Sequence, residues 1–192
     1  MRHMPVRRAS FVPLLAALAL LCVTAAGCGG GDNGSSAESW ANDVCTELDT
    51  WANSVSTAIR GVASQGLGVT SDDLHAAANQ ASSATTDLVD GLQQIGPPDT
   101  DSADQAQQEV NTLGDQLQQD ANQVRDLVQS APSGAAGLVA TGQSVLGVLG
   151  TAADQVKATL TSLQQLGGDL STGFEQSDAC NELRNKDFTG GS

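Results

Sequence analysis

Apolar side chains recur at steps of three and four positions from residue 40 onwards, which is the spacing of one face of an α-helix. In the first series, from about Ser39 to Ser64, they fall at Val44, Leu48, Trp51 and Val55. Three more series follow, starting near residues 70, 100 and 134. The pattern therefore predicts four long amphipathic helices.

Glycine and proline separate these series. Gln65-Gly66-Leu67-Gly68 interrupts the chain after the first helix, and either Thr70 or Ser71 can cap the second. Gly96-Pro97-Pro98 ends the second helix and Pro132 ends the third, because proline cannot continue the helical hydrogen bonds. Short breaks of this kind place consecutive helices side by side in opposite directions.

A shorter apolar series follows Gly167-Gly168 and carries Leu170, Phe174, Cys180 and Leu183. We therefore expect an all-α fold, an up-down-up-down four-helix bundle with a short fifth C-terminal helix. The bundle domain is predicted to span residues 39–186, followed by a disordered tail at 187–192.

The chain begins with an export-type segment. Three basic residues, Arg2, Arg7 and Arg8, precede an apolar run from Phe11 to about Ala26, and small residues follow. The apolar run is shorter than the roughly 20 residues that cross a bilayer as a helix, so a removable signal is favoured over a permanent span. Residues 28–38 are rich in glycine and serine and are predicted to form a flexible tether.

The sequence Ala25-Ala26-Gly27-Cys28 resembles the lipobox of bacterial lipoproteins. That resemblance implies a signal peptide at 1–27, removed by signal peptidase II, and lipid attached to Cys28. The family prefers leucine where this chain has Ala25, and cleavage by signal peptidase I, releasing a secreted protein, is the alternative. The first 35 or so residues are similar to those of uncharacterised small helical lipoproteins of actinobacteria, a resemblance that implies no activity.

The four cysteines have different expected fates. Cys22 lies in the signal and Cys28 is the expected lipidation site, which leaves Cys45 and Cys180. In an oxidising compartment these two form a disulfide. Because the predicted topology brings the start of helix one close to the segment after helix four, the bridge is expected to pin the fifth helix there.

Charge and composition narrow the possible functions. Removal of the three arginines with the signal leaves 5 basic and 22 acidic residues, a net charge of −17. Such a surface repels nucleic acid, so nucleic-acid partners are excluded. The only histidines are His3 and His75, so no histidine-based catalytic triad or zinc site can be assembled. We expect no cofactor, no metal and no enzymatic activity.

The fourth helix is unusual because no charged residue occurs between Asp126 and Asp154 and glycine is frequent there. Glycine destabilises a helix interior, so something must compensate. Close packing against neighbouring helices is one explanation. The other is a groove at Gly142, Gly147 and Gly150 for an apolar ligand or a partner helix.

These observations predict a non-catalytic envelope lipoprotein, held extracytoplasmically at the cell membrane by its lipid, that presents an acidic helical bundle to a protein or cell-wall partner. The alternative is a carrier of lipid or small apolar ligands that uses the glycine-rich fourth helix. Neither the identity of the partner nor the oligomeric state follows from the sequence.

Overall fold

The computed structural model describes residues 36–186, and within that range the chain is helical, with no strand. The all-α prediction is confirmed. The helices are α1 (Ala37–Gln65), α2 (Ser71–Ile95), α3 (Ala103–Gln129), α4 (Ala135–Gln165), α5 (Gly168–Gln176) and α6 (Asp178–Asn185), and one 3₁₀ turn at Gly66–Gly68 follows α1. The four long helices lie within a few residues of their predicted bounds.

Local side-chain chemistry accounts for the start of α2. The Thr70 hydroxyl accepts a hydrogen bond from the backbone N–H of Asp73 at 3.2 Å, and the Asp73 carboxylate accepts one from the backbone N–H of Thr70 at 2.9 Å. This reciprocal pair satisfies two backbone donors that a helix start leaves free. Of the two caps that the sequence allowed, Thr70 is therefore the one used.

Specific contacts show that α1 and α2 run antiparallel. The indole N–H of Trp40, near the start of α1, donates to the carbonyl of Gly96 at the end of α2, at 2.7 Å. Further along, the indole N–H of Trp51 donates to the hydroxyl of Thr85 at 3.1 Å. Both tryptophans are buried, so each polar N–H is satisfied within the core.

The same reasoning applies to the next pair of helices. Arg125, near the end of α3, donates a hydrogen bond to Ser82 in the first half of α2. Gly114, nearer the start of α3, faces Val89 further along α2. Helices α2 and α3 are therefore antiparallel as well, and α3 packs in turn against α4.

The predicted single fifth helix is two helices, which corrects the sequence interpretation. The backbone leaves the helical region at Ser177, with φ −72° and ψ 121°. The Ser177 hydroxyl then accepts a hydrogen bond from the backbone N–H of Cys180 at 3.2 Å and starts α6. An N-cap serine can begin a new helix because it satisfies a free N–H of the first turn. Both short helices pack on α1.

The disulfide joins Cys45 of α1 to Cys180 of α6, with their Cα atoms 5.0 Å apart and a sequence separation of 135. Both cysteines are buried. Beside the bridge, the rings of Trp40 and Phe174 meet edge to face with their centroids 6.0 Å apart. The bridge therefore fastens the end of the described chain to its first helix.

We divide the described chain at the middle of each long helix. The disulfide half comprises residues 36–52, 83–116 and 151–186, and the distal half comprises residues 53–82 and 117–150. Three predicted features lie outside residues 36–186: the signal peptide, the lipidation site Cys28 with most of the tether, and the tail at 187–192.

Candidate functional site

A groove runs along the surface between α1 and α4. It consists of two neighbouring clefts, of about 350 Å³ and about 290 Å³, which share Ala63 of α1 and Leu146 of α4. Only the second is lined by charged side chains, Asp154 and Lys157. We call the two clefts together the α1–α4 groove. Apart from that charged edge, apolar side chains and glycines form most of its walls.

The three glycines predicted to form a groove are placed differently. Gly142 lines the first cleft and Gly150 lines the second, whereas Gly147 lines neither. A Cβ atom at Gly142 would lie 3.4 Å from Val62, so α1 approaches α4 closely there. A Cβ atom at Gly150 or Gly147 would meet nothing within 4 Å. Close packing thus accounts for Gly142, and Gly150 opens space beside α1.

The most prominent side chains of the groove are leucines that the helical pattern did not single out. Leu67, in the turn after α1, is 84% exposed and borders the first cleft. Leu146 lies between Gly142 and Gly150, one helical turn from each, and is half-buried. Sequence reasoning placed Leu67 in a break and assigned the α4 stripe to Val145. The adjacent apolar residues Val145 and Leu146 could have indicated the groove, because a second apolar residue widens the apolar face of α4.

Charge is distributed very unevenly between the two halves. The disulfide half carries 16 acidic and 3 basic side chains, a net charge of −13. The distal half carries 4 acidic and 2 basic side chains, a net charge of −2. The groove lies mainly in the nearly neutral half. Charged or apolar partners therefore meet different surfaces on the same bundle.

Two half-buried polar side chains, Asp120 of α3 and Gln155 of α4, meet between these helices. Burial raises the pKa of Asp120, and a hydrogen bond with the side chain of Gln155 lowers it in part. One oxygen of each side chain, Asp120 Oδ2 and Gln155 Oε1, is buried without a hydrogen-bond partner. The apolar seam of α3 continues on Ala121 and Val128 instead.

The disulfide half has a cleft of its own, which is acidic. Asp43 and Glu47 of α1 face Asp87 and Asp90 of α2 across about 620 Å³. Within residues 36–186, no group of three or more His, Cys, Asp or Glu side chains is arranged to hold a metal ion. His75 is exposed at the start of α2.

Helix α4 also meets the length and composition criteria for crossing a membrane. A mostly buried core helix passes the same test, but buried residues make up only 28% of the most apolar window of α4, so much of this apolar surface is not covered by the other helices described. Its exposed face carries Gln143, Ser144 and Thr151, which are costly in hydrocarbon. We therefore attribute the apolar composition of α4 to its position as one wall of the α1–α4 groove.

The groove, with its two clefts and its exposed leucine, is the candidate site of this chain. It is suited to binding through apolar contact. No protein-family model, no curated protein and no solved structure matches the chain.

Proposed function

We propose that this chain is a non-catalytic lipoprotein of the bacterial envelope that binds a protein partner through the α1–α4 groove. In this proposal Cys28 carries the lipid, and α1 to α4 form an up-down-up-down four-helix bundle above the tether. The observation that carries the proposal is the groove itself, an apolar surface with Leu67 exposed at its edge on a chain that is otherwise strongly acidic. Exposed apolar patches of this kind are typical of interaction sites.

The position of the groove supports a role in presentation. Helix α1 begins at Ala37, close to the proposed anchor, and the groove starts near Ile59. At 1.5 Å per residue, this places the groove about 33 Å along the helix from its start. The groove therefore lies well along α1 from the end at which the tether joins the bundle.

Binding of a protein partner through the groove can be tested in the native membrane, where the tethered protein would meet that partner. We compare Leu67→Asp with Thr46→Asp, which puts the same charge on an exposed position of α1 in the disulfide half. Native gel electrophoresis of gently solubilised membranes should show the wild type and Thr46→Asp in a complex, and Leu67→Asp released from it. Migration of all three as monomers contradicts the proposal.

The anchor is tested separately, by the intact mass of protein taken from the membrane fraction. A mass that starts at Cys28 and includes acyl chains supports lipidation. An unacylated mass in the culture medium refutes the anchor and makes the protein a diffusible one.

A carrier of lipid or small apolar ligands is the second candidate, and the cleft volumes favour it. The larger cleft, of about 350 Å³, lies within the range of small-molecule sites. Against it, both clefts are open to solvent along the groove, so a bound acyl chain would remain partly exposed. Native mass spectrometry of the purified protein decides: a co-purified ligand that is lost in Leu67→Asp, which puts a charge at the border of that cleft, supports the carrier.

A further inference from the structure

Helix α6 leads the chain along α1 toward the groove. Cys180, in the first turn of α6, is bonded to Cys45 of α1. At the end of α6, the ammonium group of Lys186 forms an ion pair with the carboxylate of Asp49, one turn further along α1. The backbone of Lys186 is extended, with φ −72° and ψ 131°, so the helix ends there. The chain has therefore moved toward the distal half when α6 ends.

The face of α1 that carries Cys45 is also the face that borders the groove. Cys45 and Ala63 are 18 residues apart, which is five turns of a helix with 3.6 residues per turn. Their side chains therefore point in the same direction, and Ala63 lines both clefts. Ile59, one turn before Ala63, lines the second cleft. The contact with α6 and the second cleft thus lie in line on one face of α1.

The residues that follow Lys186 are long enough to reach the second cleft. Asp49 and Ile59 are ten residues apart, about 15 Å along the helix axis. Residues 187–192 lie outside the described residues, and six residues can extend over about 20 Å. The first two of them cover about 7 Å, and the length of its side chain can bring the ring of Phe188 to the near edge of the cleft.

Phe188 is the one large apolar side chain of this segment. The other aromatic residues after the predicted signal, Trp40, Trp51 and Phe174, are buried in the core. The second cleft has a volume of about 290 Å³ and mostly apolar walls, so it has room for one aromatic ring. Placing the ring there removes the apolar surfaces of both the side chain and the cleft from water.

We propose that residues 187–192 turn back along α1 and place the ring of Phe188 in the second cleft, where it covers part of the groove until a partner displaces it. A segment joined to its site by a few residues is present at an effective concentration in the millimolar range, so a weak apolar contact is enough to hold it. As a control on binding, the inference rests on the proposed function, because the partner competes with Phe188 for the same groove.

Site-specific photo-crosslinking of the full chain in its native membrane tests the inference. A benzophenone-bearing phenylalanine in place of Phe188 should give adducts within one chain, and the crosslinked peptides should contain groove residues of α4 or of the second half of α1. The same photo-reactive residue at position 46, exposed in the disulfide half, should give no adduct with those peptides. Adducts that join isotopically labelled to unlabelled copies, or that contain only peptides of α5 and α6, refute the inference.

Two leucine substitutions provide the matched comparison. Gly150→Leu fills the second cleft and should lower the yield of groove adducts from position 188 about tenfold, the effect of losing roughly 1.4 kcal/mol of binding. Gly147→Leu places the same side chain on an exposed position outside both clefts and should leave the yield unchanged. Both replace a helical glycine by a better helix former, so folding is not the difference between them. Equal loss in both variants overturns the inference.

The control on binding is tested by native gel electrophoresis of gently solubilised membranes. Phe188→Ser should raise the share of the chain found in the complex, because the groove no longer has to be vacated before the partner binds. Thr189→Ser changes the same segment but keeps the ring, and should leave that share at the wild-type level. An unchanged share in Phe188→Ser refutes the control on binding.

The two experiments separate this inference from the proposed function. A complex that Leu67→Asp releases, with no groove adducts from position 188, refutes the inference and leaves the proposed function standing. Groove adducts from position 188, with every variant migrating as a monomer, support the placement of Phe188 and refute the protein partner.

Discussion

The two halves of the four long helices differ in what lies on their surface. Helices α5 and α6 pack on α1 in the disulfide half, whereas the α1–α4 groove lies mainly in the distal half. Near its start, α1 is covered by α2, α5 and α6, with the disulfide and the Trp40–Phe174 contact between them. Toward its end, α1 faces α4 across the α1–α4 groove. The charge follows the same division, −13 against −2.

The comparison shows where a chain with few aromatic residues places its large buried side chains and its cross-link. The buried Trp40 and Phe174 and the cross-link lie together in the half that supports the fold. Small and apolar side chains predominate in the groove of the other half, where contact with a partner costs little desolvation of charge. The disulfide and the proposed binding surface therefore lie in different halves, and each can be tested without the other.

The largest expected effect comes from removing the disulfide. The double variant Cys45→Ala/Cys180→Ala should lose about 2–5 kcal/mol of unfolding free energy, because the bridge closes a loop with a sequence separation of 135 residues. Urea titration followed by the fluorescence of the buried Trp40 and Trp51 measures it. Hydrogen exchange should show α5 and α6 losing protection before α4. Equal loss of protection in both halves would contradict the division.

The second effect concerns the close approach of α5 to the start of α1. A Cβ atom on Gly173 would lie 2.6 Å from the carbonyl oxygen of Ala37 and 2.9 Å from the backbone nitrogen of Glu38. Since backbone atoms cannot move aside as a flexible side chain does, Gly173→Ala should destabilise the fold by about 1–3 kcal/mol. The midpoint of urea unfolding reports this loss, and an unchanged midpoint would show that α5 does not press on α1.

The same substitution in the distal half should have the opposite sign. Gly147 lies inside α4, is exposed, and has nothing within 4 Å of an added Cβ atom. Gly147→Ala should therefore stabilise the protein by about 0.5–1 kcal/mol, the helix preference of alanine over glycine. Thermal unfolding measured beside Gly173→Ala gives the comparison directly, and destabilisation by both variants would refute the open distal surface.

The smallest expected effect is a pH dependence in the distal half. Because burial raises the pKa of Asp120 above its usual value of 3.8, the folded state binds this proton more tightly than the unfolded chain. The contribution of the Asp120 carboxyl to stability is therefore greatest below its pKa in the unfolded chain. That contribution is lost as the pH rises through the higher pKa of the folded state. Asp120→Asn should be more stable than the wild type at pH 7, with the difference vanishing near pH 3. Urea titrations across that range test the sign.

The long helices and their ends were predictable because the signals are local. Steps of three and four between apolar residues define α1 to α4, and proline or glycine near each end stops them. The Thr70 cap and the shift of the α3 seam to Ala121 follow from the same short-range rules. The division of the fifth helix at Ser177 was missed, because the apolar spacing continues across it and only the packing on α1 shows the bend.

The sequence by itself determined the helical class, the helix limits and the pairing of Cys45 with Cys180, since these depend on periodicity, breakers and the number of available thiols. Only the tertiary structure decided which glycines matter. Gly142, Gly147 and Gly150 are alike in sequence, yet the first packs against α1, the second faces solvent and the third borders a cleft. The physical reason is that a groove belongs to two helices, and the pattern of one helix carries no information about its distance from the other.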